Sequence, residues 1–342
     1  MKLASLREGG RDGTLIVVSK ALDCAATVPG WPTLRGAIEN WGEAEPALRA
    51  ASDKLVGEGV GFGDSAAAKS PATMPPGARF AFDPARCSAP LPRAFQWLDG
   101  SAYLSHAELV RKARGAEMPP ILYREPMMYQ GAADDLLGPR DDIVLPDEAH
   151  GIDLEAEIAV IVDDVPMGVT VDEASRHIKL LMIANDVSLR NLMPDELSKQ
   201  FGFLNSKPST AFSPVAVTPD EAGAAWDGRK LALPLVSAVN SREIGRPNGA
   251  VDLNFDFAEL IAHAARTRNL KAGTIIGSGT VSNRDEAAGV ACLQELRMRE
   301  KIKFGKIVTD HLRFGDTVTI EMTDADGGVL FGAIEQRVVP AH

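Results

Sequence analysis

The 342-residue chain, 45% hydrophobic and 24% charged, is long enough to bury one large core and to carry a smaller unit beside it. Its 47 acidic residues against 36 basic ones leave a net charge of -11 and a sequence pI near 5.1, which disfavours nucleic acid and anionic membranes as partners and favours a small molecule. Three cysteines, Cys24, Cys87 and Cys292, in no CxxC pairing suggest neither a disulfide framework nor a zinc knuckle, and fit a reducing cytoplasm.

From the start of the chain, "MKLASLREGGRDG" lacks the apolar stretch of a signal peptide, and no apolar run approaches the roughly 20 residues of a membrane helix, so a cytoplasmic location is expected. "MKLASLREGGRDGTLIVVS" predicts two short strands around a glycine-rich turn, and "TLRGAIENW" and "EPALRAASDKLV" predict helices. Residues 57 to 93 are rich in Gly, Pro and Ala, a linker-like composition without the phosphate-cradling GxGxxG pattern. A boundary near residue 78 divides a small N-terminal unit, 1–78, from a large unit, 79–342. The large unit is β-rich: "DLEAEIAVIV", "KLLMIAND", "LALPLVSAVN", "GTIIGSGTVS" and the hairpin "DTVTIEMTDADGGVLFGAI", turning at Asp326-Gly327-Gly328, all read as strands. Helices are few: "DFAELIAHAARTRNL" has an apolar face of Phe257, Leu260, Ile261 and Ala264, and "TVDEASRHI" opens on a capping box from Thr170 to Glu173. The fold class is β-rich α+β, and an all-parallel sheet is not expected.

Within this frame "GIDLEAEIAVIVDD" puts like charges inside a run that belongs in a core. Read as a strand, Ile152, Leu154, Ala156, Ile158, Val160 and Val162 share one face, and Asp153, Glu155, Glu157, Ala159 and Ile161 share the other. Carboxylates at i and i+2 stand roughly 7 Å apart along a strand, near enough to converge on one cation. The same pattern also fits a solvated strand end. Asp186, where "LLMIAND" meets a polar turn, fits a second acid of such a site or a turn residue. In "FQWLDGSAYLSHAELVRKARG", Asp99, Tyr103 and His106 precede an amphipathic helix with Arg111, Lys112 and Arg114; there Asp99 fits a turn and His106 a solvent-facing helix start equally well. The other histidines have no HxxxH or HExxH spacing.

Taken in order, these segments resemble the fumarylacetoacetate hydrolase family over most of residues 95–337. Asp99, six intervening residues and His106-Ala107 match the family's segment for a metal-binding aspartate and the catalytic histidine. Glu155-x-Glu157 matches its pair of metal-binding glutamates, and "ANDVSLR" matches its A-N-D-x-S-x-R, with Asp186 as fourth ligand. "FLNSKPSTAFSP" aligns Lys207 with the active-site lysine, "SGTVS" aligns Thr280 with the threonine for the substrate carboxylate, and "CLQEL" aligns Glu295 with the glutamate that orients the histidine. "PMMYQG" nominates Tyr129, and the position after the histidine segment nominates Arg114, as substrate contacts. The sequence departs from the family at Met193, where a glutamine is usual, at Leu197, near a substrate-binding tyrosine, and at Ser206, where a glycine is usual.

The resemblance implies a mixed β-roll catalytic domain with a small SH3-like N-terminal domain, assembled as a homodimer. It further implies hydrolysis of a carbon-carbon bond in a dioxo-acid, with fumarylacetoacetate, cleaved to fumarate and acetoacetate in tyrosine breakdown, as the first substrate. Acylpyruvate or fumarylpyruvate hydrolysis, or decarboxylation or isomerisation of a dioxo-acid on the same metal site, is the alternative enzyme reading, and a metal-stabilised binding protein without turnover is the third. Four carboxylates are hard oxygen ligands, which suits Mg²⁺ or Ca²⁺ better than zinc.

Overall fold

The computed structural model describes residues 1–56, 77–113 and 115–341. Its backbone is an eleven-stranded sheet with strand order Arg79–Ala81, Cys24–Thr27, Thr14–Val18, Lys2–Leu6, Ala216–Val217, Ile178–Asn185, Ala156–Val162, Ile275–Gly277, Trp97–Gly100 and Met128–Gly131, to which Ala211–Phe212 adds alongside Ile178–Asn185. Every pairing in it is antiparallel except Ile275–Gly277 on Trp97–Gly100. The four N-terminal strands form a meander that joins the rest through Lys2 opposite Val217 and Leu3 opposite Ala216, so both parts of the chain share one sheet. A five-stranded sheet, in the order Arg242–Gly245, Val236–Val239, Thr317–Glu321, Ile334–Pro340 and Ile143–Leu145, completes the β structure with a two-stranded ladder of Ser188–Leu189 on Ile152–Asp153.

The large sheet is buried on both faces, and strand alternation decides which residue goes where. Ile158, Val160, Val162, Leu181 and Ile183 enter one core, while Ala159, Ile161, Leu180, Met182 and Ala184 enter a second, which the N-terminal helices Leu34–Glu39 and Trp41–Val56 help to build. Burial on both sides explains why these strands read as almost continuous apolar runs. The two faces expected for residues 152–162 are the two faces found, with one interruption: Leu154 and Glu155 lie between strands Ile152–Asp153 and Ala156–Val162.

Several elements differ from the sequence expectation. The strand predicted over "LALPLVSAVN" is only Val236–Val239, since Pro234 has no N–H to give a ladder. The predicted hairpin does turn at Asp326-Gly327-Gly328, where Asp324 accepts the Gly328 N–H, but the partner of Thr317–Glu321 is Ile334–Pro340 rather than the residues directly after the turn. Helix Phe257–Ala264 is shorter than predicted and starts with a capping box of Asp256 and Glu259; the Thr170–Glu173 box is formed as expected. Helix Leu293–Phe304 was not expected: its twelve residues carry charge all round, and only Leu293, Gln294, Glu295 and Met298 are buried. The predicted linker lies largely in residues 57–76, outside the described residues.

Candidate metal and catalytic site

Three carboxylates meet at one end of the large sheet. Asp99 is on the strand Trp97–Gly100, Glu157 is the second residue of Ala156–Val162, and Asp186 follows the last residue of Ile178–Asn185. Antiparallel pairing sets Glu157 opposite Ala184, and Asp99 is paired with Tyr129 on one side and Gly277 on the other. One oxygen from each of Asp99, Glu157 and Asp186 lies within 4.8 Å of the other two. The loop after Ile275–Gly277 is shaped around this cluster. A Cβ on Gly277 would stand 2.5 Å from Asp99 Oδ1, and Gly279, at φ +75°, donates its N–H to the same oxygen at 3.0 Å.

The three acids are satisfied very unequally. Asp186 accepts from Tyr129 Oη at 2.5 Å, from Thr210 Oγ1 at 2.7 Å and from Lys207 Nζ. Glu157 is fully buried, and among the described residues its carboxylate oxygens meet no donor apart from the adjoining Asp99 carboxyl, which donates only when protonated. Burial, and then the charge of Asp186, push the Asp99 carboxyl up to about 8. Burial, followed by Asp99 and Asp186, lifts Glu157 well above the carboxylate range. Charged together, they repel one another in a medium that screens poorly; a divalent cation removes both the repulsion and the missing hydrogen bonds. The hard oxygen donors of Asp99, Glu157 and Asp186 fit such an ion.

Glu155 faces cations instead. Its carboxylate takes Arg190 Nη2 at 2.7 Å on one oxygen and Lys207 Nζ on the other. Burial acts to raise its pKa, but Arg190 and Lys207 outweigh it and hold the group below the ordinary range. Burial likewise acts to discharge Lys207, and is outweighed by Asp186 and Glu155, so the ammonium is retained. Arg190 also reaches Asp153 Oδ2 through Nε at 2.8 Å, and the Asp153 carboxylate accepts the N–H groups of Leu293 and Gln294 at 2.7 and 2.9 Å. A chain of alternating charge thus runs from the start of helix Leu293–Phe304 through Asp153, Arg190, Glu155 and Lys207 to Asp186.

Helix Leu104–Ala113 carries His106, which is half-buried, and helix Leu293–Phe304 carries Glu295, which is buried. A nitrogen of His106, Cys292 Sγ and a Glu295 oxygen lie within 4.8 Å of one another. The expected hydrogen bond between His106 and Glu295 is not formed: His106 Nδ1 and Glu295 Oε2 are both buried without a partner among the described residues, and Glu295 Oε1 accepts from Ser282 Oγ at 2.6 Å. His106 lines a cavity of about 320 Å³ together with Asp99, Ser101, Tyr129, Glu155, Arg190, Lys207 and Thr280. Tyr129, nominated for substrate, gives its hydroxyl to Asp186, while Thr280 is buried at the cavity wall. Arg114 lies outside the described residues. Among residues not nominated, Arg190 and Thr210 bind the site's acids directly, and Asp153 holds Arg190. Asp153 shares the strand face of Glu155, and Arg190 closes the A-N-D-x-S-x-R match, so two of the three had a signal.

The family profile described as fumarylacetoacetate (FAA) hydrolase C-terminal matches residues 96–339, and that of fumarylacetoacetase N-terminal domain 2 matches residues 1–93. A 2,4-didehydro-3-deoxy-L-rhamnonate hydrolase of Sphingomonas sp. (strain SKA58) is 30% identical over 159 residues, 46% of this chain and 53% of its own length. A fumarylacetoacetase of Oryza sativa subsp. japonica is 27% identical over 274 residues, 67% of this chain and 64% of its own. These two curated relatives are therefore matched over about half to two thirds of their length. Among solved structures, maleylpyruvate hydrolase from Sphingobium sp. SYK-6, in complex with manganese (II) ion and pyruvate, superposes over 100% of both chains with a TM-score of 0.63 at 18% identity, a likeness of fold. The profile match over residues 96–339, on a fold shared along the whole chain, shows that this protein belongs to the fumarylacetoacetate hydrolase family.

Proposed function

We propose that this chain is a divalent-metal-dependent hydrolase that cleaves a carbon-carbon bond in a 1,3-diketone acid, the class that contains both fumarylacetoacetate and the acylpyruvates. The observation that carries the reading is the Glu157 carboxylate, fully buried, without a basic or amide donor among the described residues and flanked by Asp99 and Asp186, beside a cavity lined by His106. Asp99, Glu157 and Asp186 would hold the ion, with Glu155 adjacent; when bound, it supplies Lewis acidity toward the substrate's chelating oxygens. Mg²⁺ and Ca²⁺ suit these ligands.

The chain's own residues supply the remaining chemistry. His106 takes a proton from water as the oxygen attacks the carbonyl carbon, and the imidazolium is steadied by Glu295. The carbon-carbon bond then breaks, its electron pair leaves with the carbon fragment as an enolate, and protonation completes the second product. Lys207, kept charged by its two carboxylates, places positive charge where that enolate develops. Thr280 offers a hydroxyl at the wall for the substrate's carboxylate, and Tyr129 fixes Asp186 through its hydrogen bond.

The test is loss of ultraviolet absorbance from fumarylacetoacetate, fumarylpyruvate and acetylpyruvate with purified protein, Mg²⁺ and, in parallel, EDTA. Consumption of at least one substrate that stops with EDTA and in His106→Ala is expected. Consumption that survives His106→Ala would exclude the base proposed here, and no consumption of any of the three with metal bound would end the hydrolase reading.

A further inference from the structure

The cavity lining is of two kinds. Beside its charged and hydroxyl-bearing residues, Met127, Met128, Met193, Leu197 and Phe203 contribute an apolar wall. Met193 and Leu197 are four residues apart on helix Met193–Lys199, so they share one helical face. Phe203 stands edge-on to Tyr129, with ring centroids 5.5 Å apart. The wall is anchored to the catalytic residues: Glu196, on the same helix, accepts the N–H groups of Leu204, Asn205 and Ser206 and so ties the helix to the segment that carries both Phe203 and Lys207.

The charges that line the cavity are already engaged. Among the described lining residues the permanent cations are Arg190 and Lys207; Lys207 is held between Glu155 and Asp186, and Arg190 between Asp153 and Glu155. The remaining Arg190 nitrogen, Nη1, has the thioether sulfur of Met193 at 3.8 Å, a weak acceptor. A second carboxylate carried against this wall would give up water for the Arg190 Nη1 group alone, whose charge Asp153 and Glu155 already offset, and would meet no unengaged cation among the described lining residues. An alkyl or aryl group would instead gain contact, and methionine side chains adapt to its shape.

We propose that the substrate is a 2,4-dioxo acid whose acyl arm is apolar and uncharged, seated against Met193, Leu197, Phe203, Met127 and Met128, which together set chain-length specificity. The inference rests on the hydrolase reading above and narrows its substrate. Each methylene buried on such a wall is worth about three- to fourfold in affinity, and the cavity's open side reduces this.

The test is kcat/KM, with Mg²⁺, for three 2,4-dioxo acids whose acyl arms are methyl, pentyl or carboxyvinyl. The pentyl arm should exceed the methyl arm by about tenfold or more, chiefly through KM, with the carboxyvinyl arm poorest. Leu197→Ser, at a position 47% exposed and so tolerant of change, should cut the pentyl-to-methyl ratio about threefold or more, and Met193→Gln should do the same with a gain for carboxyvinyl. Melting curves identify any variant that has failed to fold. A wild-type protein that turns over the carboxyvinyl arm as well as the pentyl arm, or shows no chain-length dependence, overturns this inference and leaves the hydrolase intact. If no arm is cleaved although Mg²⁺ raises the melting temperature, the hydrolase reading falls and takes this one with it.

Discussion

Glu155 and Glu157 are two residues apart and both buried, yet their surroundings are opposite. Each oxygen of Glu155 meets a protein cation, and neither oxygen of Glu157 meets a basic or amide donor among the described residues. The chain has supplied its own counter-charge at the first glutamate and withheld it at the second. A buried ion pair is complete as it stands, whereas a buried carboxylate trio is complete only with something from outside. This difference, more than the Glu-x-Glu spacing, separates a structural charge from a binding one.

The comparison is broken most severely at Glu157. Glu157→Gln removes one charge from the trio and should lower turnover by about 10²–10³-fold, in the range found when one electrostatic contributor to a transition state is lost. The same substitution should stabilise the metal-free protein by about 1–3 kcal/mol, because the amide brings donors to Asp99 and Asp186. Saturating Mg²⁺, at a hundred times its dissociation constant, stabilises a specific site by about 2.7 kcal/mol; the wild-type protein should show that gain in thermal melting and Glu157→Gln should lose it. A variant that melts lower than wild type without metal would refute the account of Glu157 as a buried acid that the chain itself leaves uncompensated.

Glu155→Gln sharpens the contrast by reversing the sign. Breaking one side of a buried ion pair costs about 3–5 kcal/mol. Here Lys207 keeps Asp186 and Arg190 keeps Asp153, so the loss should fall near the lower bound, about 3 kcal/mol in urea unfolding of the metal-free protein. Equal effects of the two substitutions would mean that the surroundings of the two glutamates do not differ as described.

How far the site was legible follows from the same physics. Strand alternation put Asp153, Glu155 and Glu157 on one face, and the ordered motifs brought Asp99 and His106 to the same cavity, with Asp186 beside Asp99. Which glutamate would be neutralised was not legible, because its partners Arg190 and Lys207 are 35 and 52 residues away and reach it only through the fold. Helix Leu293–Phe304 escaped notice because charged residues surround it, and its position is set by Asp153 holding its first N–H groups. The gap between His106 and Glu295 was illegible for a different reason: spacing within a motif fixes which helices face each other, and not whether two side-chain atoms touch. In the fold, the two faces of strand Ala156–Val162 were predictable from alternation, whereas the pairing of Lys2–Leu6 with Ala216–Val217 joins residues more than 200 positions apart, which no local pattern encodes.

Buried lysines repeat the contrast with the sign of the charge changed. Lys207 sits between two carboxylates and stays charged, whereas Lys2, also buried, gives its ammonium to the carbonyls of Val329 and Leu330 and has no ion pair among the described residues. Burial, only partly opposed by Glu221, brings Lys2 down to about 8 from 10.5. In that window the unfolded chain binds more protons than the folded one, so stability should rise with pH from about 8 to about 10.5. Below pH 8 the penalty of the buried charge is fully present, and above 10.5 it is gone. Urea unfolding of wild type and Lys2→Met across this range isolates the effect from other groups that titrate there. Wild type should gain about 2 kcal/mol relative to the variant as pH rises, and parallel curves would show that Lys2 has a carboxylate partner in solution after all, making it a second Lys207 rather than its opposite.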